Sequence, residues 1–306
     1  MQSTMQDVPL TVAAILRYAS TVHGDRTVTT ATGDGYRHAT YREVGRQAAR
    51  LANALRRLGV EGDDRVATFM WNNQEHLEAY VAVPSMGAVL HTLNIRLFPE
   101  QIEFVAYEAE DRVVIADLSL APILAPVLPK METVHTVVAV GAGDLEPFQR
   151  SGKNVVRYHD ITAAESDQFD WPAIDEKSAA AMCYTSGTTG HPKGVVYGHR
   201  STYLHSTAVC SGNGMGLSFS DKAFPIVPMF HANAWGLPYA ALMAGADILL
   251  PDRHMDAKTL VHMIETQRPT VAGAVPTIWN DVMNYLEREP GHDISSLRLV
   301  ACGGSA

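Results

Sequence analysis

Residues 179–194 read AAAMCYTSGTTGHPKG and carry the most informative local pattern in the chain. The apolar and aromatic run 179–184 predicts a buried strand. The stretch that follows, 185–194, contains three glycines, four hydroxyl side chains and one lysine. Glycines let backbone N–H groups converge on phosphate oxygens, hydroxyls donate to the same oxygens or bind Mg²⁺, and a lysine adds a mobile positive charge. The composition alone therefore predicts a polyphosphate-binding loop.

This loop differs from the GxxxxGK[ST] loop of P-loop kinases and GTPases. Pro192 precedes Lys193, and Gly194 stands where that motif places its metal-binding hydroxyl. That class of nucleotide-binding protein is therefore disfavoured. The other alternative, a hydroxyl-rich surface loop without a ligand, accounts poorly for so many phosphate-binding groups in one stretch.

Helix and strand patterns alternate on both sides of the loop. Before it we predict a hairpin at 26–40, a helix from the capping box Thr40/Glu43 to Gly59, strands at 65–70, 88–93 and 112–116, and helices at 75–83 and 99–108. After it we predict helices at 200–211, 233–244, 256–267 and 276–287, and strands at 223–227, 246–250, 270–275 and 297–301. Such alternation is typical of the α/β class. We expect two stacked βαβ-type lobes with largely parallel sheets and helices on both sheet faces.

The periodicity fades between residues 141 and 177, where acidic residues accumulate. This predicts a first α/β subdomain at 1–140, an acidic connection at 141–177 and a second α/β subdomain at 178–306. The last predicted strand runs directly into the terminal residues 302–306, although α/β folds place a turn, a helix and a ligand site there. We therefore expect the second subdomain to be incomplete at its C-terminus.

The overall composition excludes several classes of protein. With 46% hydrophobic and 19% charged residues the chain can bury a sizeable core, so disorder is excluded. The net charge of 24 − 33 = −9 argues against nucleic acid or an anionic membrane surface as the main partner. The three cysteines have no CxxC spacing, and the N-terminus has no secretory pattern or transmembrane run, so we expect a reduced, cytoplasmic protein.

Three blocks of this sequence resemble signatures of the adenylate-forming superfamily. Residues 184–194 resemble its phosphate-binding signature, residues 227–236 (VPMFHANAWG) resemble the next signature in its fatty acyl-CoA synthetase form, and residues 302–306 resemble the start of its glycine turn. They occur in the usual order and spacing along nearly the whole chain. The sequence thus resembles the N-terminal part of a medium- or long-chain fatty-acid–CoA ligase, without the small C-terminal lid domain.

The resemblance implies a two-step ligase that uses ATP, Mg²⁺ and coenzyme A. A fatty acid would first form an acyl-adenylate and pyrophosphate, and the coenzyme A thiol would then displace AMP. The implied catalytic residues are His231, Lys193 and Thr185, with Thr185 also at the metal. The implied nucleotide-binding residues are Thr185, Ser186, Gly187, Thr188, Thr189, Gly190, Lys193, Gly303, Gly304 and Ser305. The implied acid-binding residues are His231, Ala232, Trp235 and Gly303.

Two of these roles have alternatives that the sequence leaves open. His231 follows a predicted strand at the edge where α/β sheets bind ligands, so it could donate to the carboxylate or the α-phosphate; the alternative is an ordinary packed or solvated histidine. Trp235 resembles an aromatic gate of the acyl tunnel, but an aromatic next to apolar residues equally fits a core position.

The function itself also has alternatives. The chain alone could be a non-catalytic remnant or a phosphate-binding fragment, or the intact protein could adenylate another carboxylic acid. A homodimer is compatible with the sequence. Small molecules are the expected partners, with no nucleic acid and no transmembrane segment.

Overall fold

The computed structural model describes residue 1, residues 3–185 and residues 192–304. The strands are β1 Thr27–Ala31, β2 Tyr36–Thr40, β3 Arg65–Phe69, β4 Val89–Thr92, β5 Asp111–Asp117, β6 Thr136–Val140, β7 Asn154–Arg157, β8 Ala179–Thr185, β9 Lys193–Gly198, β10 Lys222–Pro225, β11 Asp247–Leu250, β12 Val271–Ala274 and β13 Leu299–Cys302. The α-helices are α1 Val12–Val22, α2 Tyr41–Arg57, α3 Gln74–Ser85, α4 Pro99–Glu108, α5 Ala121–Leu124, α6 Glu146–Gln149, α7 Tyr158–Ala163, α8 His199–Cys210, α9 Leu237–Ala244, α10 Ala257–Gln267 and α11 Pro276–Arg288. Short 3₁₀ turns occupy Leu118–Leu120, Leu128–Lys130 and Ala232–Gly236.

The strands form two sheets, which confirms the predicted α/β class. One sheet has the order β7-β6-β5-β3-β4-β8-β9 and the other the order β13-β12-β10-β11-β1-β2. Neighbouring strands are parallel except in the hairpins β1/β2 and β8/β9. Both sheets are therefore largely parallel, as the alternation of elements predicts.

The central strands of each sheet are buried on both faces, because successive strand residues enter different cores. In β3, Val66 lies in the central core between the sheets, while Ala67 and Phe69 lie in an outer core beneath α4. In β11, Ile248 lies in the central core and Leu249 in a second outer core beneath α10 and α11. Side chains of α1, α2, α3 and α9 fill the central core. This arrangement explains why the strands read as continuous apolar runs.

The two sheets do not coincide with the sequence-based division at residues 140 and 178. The N-terminal hairpin β1/β2 extends the sheet of the C-terminal strands, and β8/β9 extends the sheet of the N-terminal strands. The segment 141–177 contains α6, β7 and α7, and β7 pairs with β6. Hydrophobic periodicity reports that a strand exists but not which strand it pairs with, so it could not reveal this exchange.

The N-terminus of α2 confirms the predicted capping box. The Thr40 hydroxyl accepts from the Glu43 backbone N–H at 3.2 Å, and the Glu43 carboxylate accepts from the Thr40 backbone N–H at 2.7 Å. Gly59 has φ +85°, as expected just after a helix C-terminus. Among the described helices, none is both long and apolar enough to cross a membrane.

Candidate functional site

The β8/β9 hairpin brings Thr185 and Lys193 together. These two residues form the last pair of the antiparallel ladder, so both lie where the hairpin opens into residues 186–191. Lys193 is exposed and Thr185 is half-buried. The sequence prediction missed β9, since the pattern Lys-Gly-Val-Val-Tyr-Gly was not assigned to a strand. The predicted phosphate-binding residues Ser186, Gly187, Thr188, Thr189 and Gly190 lie outside the described residues.

A buried aromatic ring supports this hairpin from below. The Tyr184 ring lies against the backbone of Gly194, its partner across the ladder, where a Cβ atom would come within 3.2 Å of Tyr184 Cζ. Its ring centroid is 5.2 Å from that of His91, whose Nδ1 is 2.8 Å from an Asp111 carboxylate oxygen. His91 and Asp111 are fully buried, and burial raises the pKa of Asp111 while His91 opposes the rise. Gly194, which has no side chain, therefore lets the backbone approach the Tyr184 ring closely. The composition of the loop could not predict this contact.

The second block, residues 227–236, begins just after β10 and approaches the hairpin directly. Burial raises the pKa of the Cys183 thiol in β8, and the nearby Ala232 backbone opposes the rise. Phe230 lies in the same outer core as Tyr184. The structure thus places the residues next to His231 against the strand that ends at Thr185.

His231 is half-buried, and its environment keeps the imidazole neutral near pH 7. Burial lowers its pKa below the usual value of about 6.5, and the charge of Arg96 lowers it further. Within the described residues, its buried Nδ1 atom has no hydrogen-bond partner. A neutral imidazole with one uncommitted ring nitrogen can donate to, or accept from, a bound substrate group.

The predicted helix 233–244 is wrong at its N-terminus. Residues 232–235 all have positive φ, between 43° and 56°, and Gly236 follows with φ +68°. The α-helix begins only at Leu237, with Pro238 in its first turn. Left-handed conformations cost non-glycine residues roughly 1–2 kcal/mol each, so the surrounding structure must hold this turn in place.

Two side chains from other elements hold the left-handed turn. The Thr92 hydroxyl donates to the Asn233 side-chain oxygen at 3.3 Å, and His205 Nε2 lies 2.8 Å from the Trp235 carbonyl oxygen. Strain maintained by long-range contacts is typical of functional sites. Sequence patterns could not predict this turn, because the stretch contains apolar residues that also suit a helix.

The Trp235 ring lies across two glycines on neighbouring strands. A Cβ atom at Gly273 would be 3.5 Å from its Cζ3 atom, and one at Gly303 would be 3.7 Å from its Cζ2 atom. The Trp235 ring and the start of the glycine turn therefore lie side by side. Gly304 has φ +92°, and Ser305 lies outside the described residues.

A cavity of about 550 Å³ adjoins this tryptophan, between β9, α8 and α9. Of the residues predicted to bind the acid, Ala232 and Trp235 line this cavity. His231 does not line it but immediately precedes Ala232 in the chain. The lining residues are Tyr197, Ser201, Thr202, His205, Ala232, Asn233, Trp235, Gly236 and Tyr239. Aromatic rings and a few hydroxyl groups in a cleft of this size suit a small, mostly apolar ligand.

The described residues do not by themselves assemble a metal site. They contain no group of three or more His, Cys, Asp or Glu side chains that could hold an ion. Thr185 is the metal ligand that the resemblance implies, and it lies at the end of β8. A divalent cation here would need further ligands from a bound nucleotide or from other residues.

Several relatives are similar in sequence to this chain along almost its full length. The chain is 41% identical over 305 residues to a long-chain-fatty-acid–CoA ligase of Thermus thermophilus, covering 99% of this chain and 54% of the relative. It is 38% identical over 307 residues to a medium-chain-fatty-acid–CoA ligase of Ectopseudomonas oleovorans and to a 3-methylmercaptopropionyl-CoA ligase of Ruegeria lacuscaerulensis, covering 100% of this chain and 56% and 57% of those relatives. The chain thus spans just over half the length of the curated relatives it matches.

Solved structures and a family match agree with this. An anthranilate CoA ligase in complex with anthranoyl-AMP superposes with a TM-score of 0.85 at 25% identity, covering 99% of this chain and 57% of that one. A long-chain-fatty-acid-CoA ligase from Archaeoglobus fulgidus gives a TM-score of 0.86 at 22% identity, covering 98% of this chain and 59% of that one, and supports the fold alone. The AMP-binding enzyme family matches residues 16–306. This chain therefore belongs to the AMP-binding enzyme family.

Proposed function

We propose that the protein carrying this chain is an AMP-forming ligase that joins an aliphatic carboxylic acid to coenzyme A. The observation that supports this most strongly is the juxtaposition of the Thr185/Lys193 hairpin with the strained turn 232–236 and its apolar cavity. One part suits a polyphosphate and the other an acyl chain. Relatives that are acyl-CoA ligases at 38–41% identity support the same assignment.

In the first step a carboxylate oxygen attacks the α-phosphorus of ATP. A bond forms between them, the bond to the bridging oxygen of the β-phosphate breaks, and pyrophosphate leaves. Lys193 supplies positive charge to the leaving pyrophosphate. The Thr185 hydroxyl, at the same end of the hairpin, binds the phosphate oxygens. Mg²⁺, when bound with ATP, would neutralise phosphate charge, with the Thr185 hydroxyl as the side chain available to it.

The neutral His231 would orient the reacting carboxylate or the α-phosphate through an imidazole nitrogen. In the second step the thiol of coenzyme A attacks the acyl carbon, its proton is lost to solvent or a base, and AMP leaves. No covalent enzyme intermediate is needed, so positioning and charge stabilisation account for the catalysis.

The acyl chain would occupy the cavity beside Trp235. Each methylene that leaves water contributes about 0.8 kcal/mol, so kcat/KM should rise with chain length and level off when the cavity is full. The relatives act on long-chain, medium-chain and 3-methylmercaptopropionyl groups, which supports an aliphatic acid and leaves its length to experiment.

We also propose that the protein works in a reducing compartment, such as the cytoplasm. Its three cysteines, Cys183, Cys210 and Cys302, are all free. Reducing conditions maintain such thiols, whereas oxidising compartments favour paired cysteines.

The test is thioester formation by the full-length protein. Incubation with ATP, coenzyme A and straight-chain acids of increasing length, together with 3-methylmercaptopropionate, should yield acyl-CoA and AMP, detected by mass spectrometry. Loading of amino acids without any acyl-CoA would contradict the proposal. Acid-dependent ATP–pyrophosphate exchange by residues 1–306 alone would exclude the alternative that this portion is a non-catalytic or purely phosphate-binding fragment.

A further inference from the structure

Two adjacent asparagines follow β3, equally buried but with different contacts. Asn72 and Asn73 are each 2% exposed. Asn73 caps the helix that it precedes, because its side-chain oxygen accepts from the His76 backbone N–H at 3.0 Å. Asn72 instead contacts the segment that leaves the other sheet after β10.

The Asn72 carboxamide makes three hydrogen bonds to that segment. Its Nδ2 donates to the carbonyl oxygens of Pro225 at 2.8 Å and Val227 at 2.9 Å, and its Oδ1 accepts from the Met229 backbone N–H at 2.7 Å. Pro225 is the last residue of β10 and pairs with Gly273 of β12, and the Val227 backbone N–H still donates to the Gly273 carbonyl at 2.7 Å. Asn72 uses both of its amide hydrogens on this one stretch, so the stretch cannot shift without breaking several bonds together.

Tyr80 of α3 holds the same segment, and we call Asn72 and Tyr80 together the clamp. Its hydroxyl donates to the Met229 carbonyl oxygen, so both backbone groups of Met229 are held from the other sheet. Tyr80 is fully buried, and its own carbonyl accepts from the Tyr239 hydroxyl at 2.9 Å. His231 lies two residues beyond Met229, and its backbone N–H donates to the Pro228 carbonyl at 3.1 Å. The position of His231 therefore follows that of the clamped segment.

We infer that Asn72 and Tyr80 are positioning residues that set the location of the His231 imidazole. Their effect on catalysis rests on the proposed function, in which His231 contacts the carboxylate or the α-phosphate. They do not touch the substrate in this account. They act through Met229 and link the placement of one site residue to the β3–α3 unit of the opposite sheet.

The chain offers matched controls for both residues. Asn73→Ala removes an equally buried asparagine whose side chain, among the described residues, bonds to its own helix and to Asp117. Tyr41→Phe removes a buried tyrosine hydroxyl that donates to the Ala246 carbonyl, away from His231. These controls are compared with Asn72→Ala and Tyr80→Phe.

The first measurement is the titration of His231 in ¹⁵N-histidine-labelled protein by NMR, with its signals assigned from their loss in His231→Gln. In wild type the pKa should lie below about 6.5, since burial and Arg96 both lower it. In Asn72→Ala and Tyr80→Phe it should rise toward 6.5 as the ring gains access to water, while both controls keep the wild-type value. An unchanged His231 pKa in Tyr80→Phe, which preserves the buried ring and so the fold, would overturn the inference.

The second measurement is acid-dependent ATP–pyrophosphate exchange by the full-length protein. Clamp variants should lower kcat about 10- to 100-fold, the scale of a small misplacement, with KM for ATP nearly unchanged. In a His231→Ala background the same changes should have no further effect; additive losses there would contradict positioning through His231. If His231→Ala itself leaves exchange unchanged, the proposed role of His231 fails, and the NMR result still decides whether the clamp positions the ring.

Discussion

The two segments that form the candidate site are held in opposite ways. The hairpin end with Thr185 and Lys193 projects from a sheet edge, where Lys193 is exposed, ladder bonds join the two strands and the Tyr184 ring lies against Gly194. The His231 segment is largely buried, bonded to the opposite sheet and continued by a left-handed turn. Charge can therefore be removed from the first segment at little cost in stability, whereas changes around the second alter both packing and chemistry.

The largest expected effect comes from the exposed segment. Lys193→Ala and Thr185→Val should each slow adenylation in the full-length protein about 10- to 1,000-fold, the scale of losing one preorganised charge or donor. The melting temperature should remain close to that of wild type, because Lys193 is exposed and Thr185 ends a strand. Lys177→Ala, an exposed lysine just before β8, is the control and should leave the rate unchanged. If the rate of Lys193→Ala matched this control, the hairpin would have no part in phosphate binding.

A buried carboxyl gives the next effect, on stability against pH. Glu78 of α3 accepts from Tyr158 and Gln74, and burial, together with the charge of Glu75, raises its pKa to about 7. The folded state then holds a proton that the unfolded state has released. Stability should therefore fall as pH rises from about 4.5 to about 7, by up to about 3 kcal/mol.

Urea unfolding of wild type and Glu78→Gln at pH 5, 6, 7 and 8 measures this. The variant should lose less stability than wild type across the range, because glutamine does not ionise. Glu287→Gln, an exposed glutamate on α11, should follow the wild-type curve. Parallel curves for wild type and Glu78→Gln would mean that Glu78 titrates as an exposed carboxyl does.

Trp235 contributes to packing and, in the proposed function, also to the selection of the substrate. Its ring is partly buried across Gly273 and Gly303 and also lines the cavity. Trp235→Ala should cost about 2 kcal/mol, less than the 3–5 kcal/mol of a fully buried tryptophan, and should flatten the dependence of kcat/KM on acyl chain length. Unfolding curves and a series of acids measure the two effects separately. A full core-sized loss with an unchanged chain-length preference would make Trp235 a packing residue only.

The smallest effect is expected far from both segments. Thr40→Ala breaks the capping box of α2 and should cost about 1 kcal/mol, with adenylation unchanged. Thermal unfolding and exchange rates of this variant give the baseline for a purely local contact. If Thr40→Ala slowed adenylation by more than its loss of stability can explain, the site would depend on the whole lobe.

The features that the sequence could predict are local ones, whereas those it could not predict depend on contacts between distant parts of the chain. The loop at 185–194 is identifiable because glycines, hydroxyls and a lysine are rare in such density, and the central strands because both faces of each are buried. The strand partners of β1 and β9, the left-handed turn before Leu237 and the bonds of Asn72 depend on residues far apart in the chain. Asn72 and Asn73 look alike in the sequence, and only the fold shows that one caps a helix and the other clamps the segment before His231.

Acid-dependent exchange of pyrophosphate into ATP, measured on the full-length protein with His231→Ala and Lys193→Ala beside it, tests the central claim most directly. The account predicts exchange that requires an aliphatic acid, with large losses of kcat in both variants and no large change in their melting temperatures. Exchange that proceeds without an acid, or that both variants support at the wild-type rate, would contradict the assignment of these two segments to a single adenylating site.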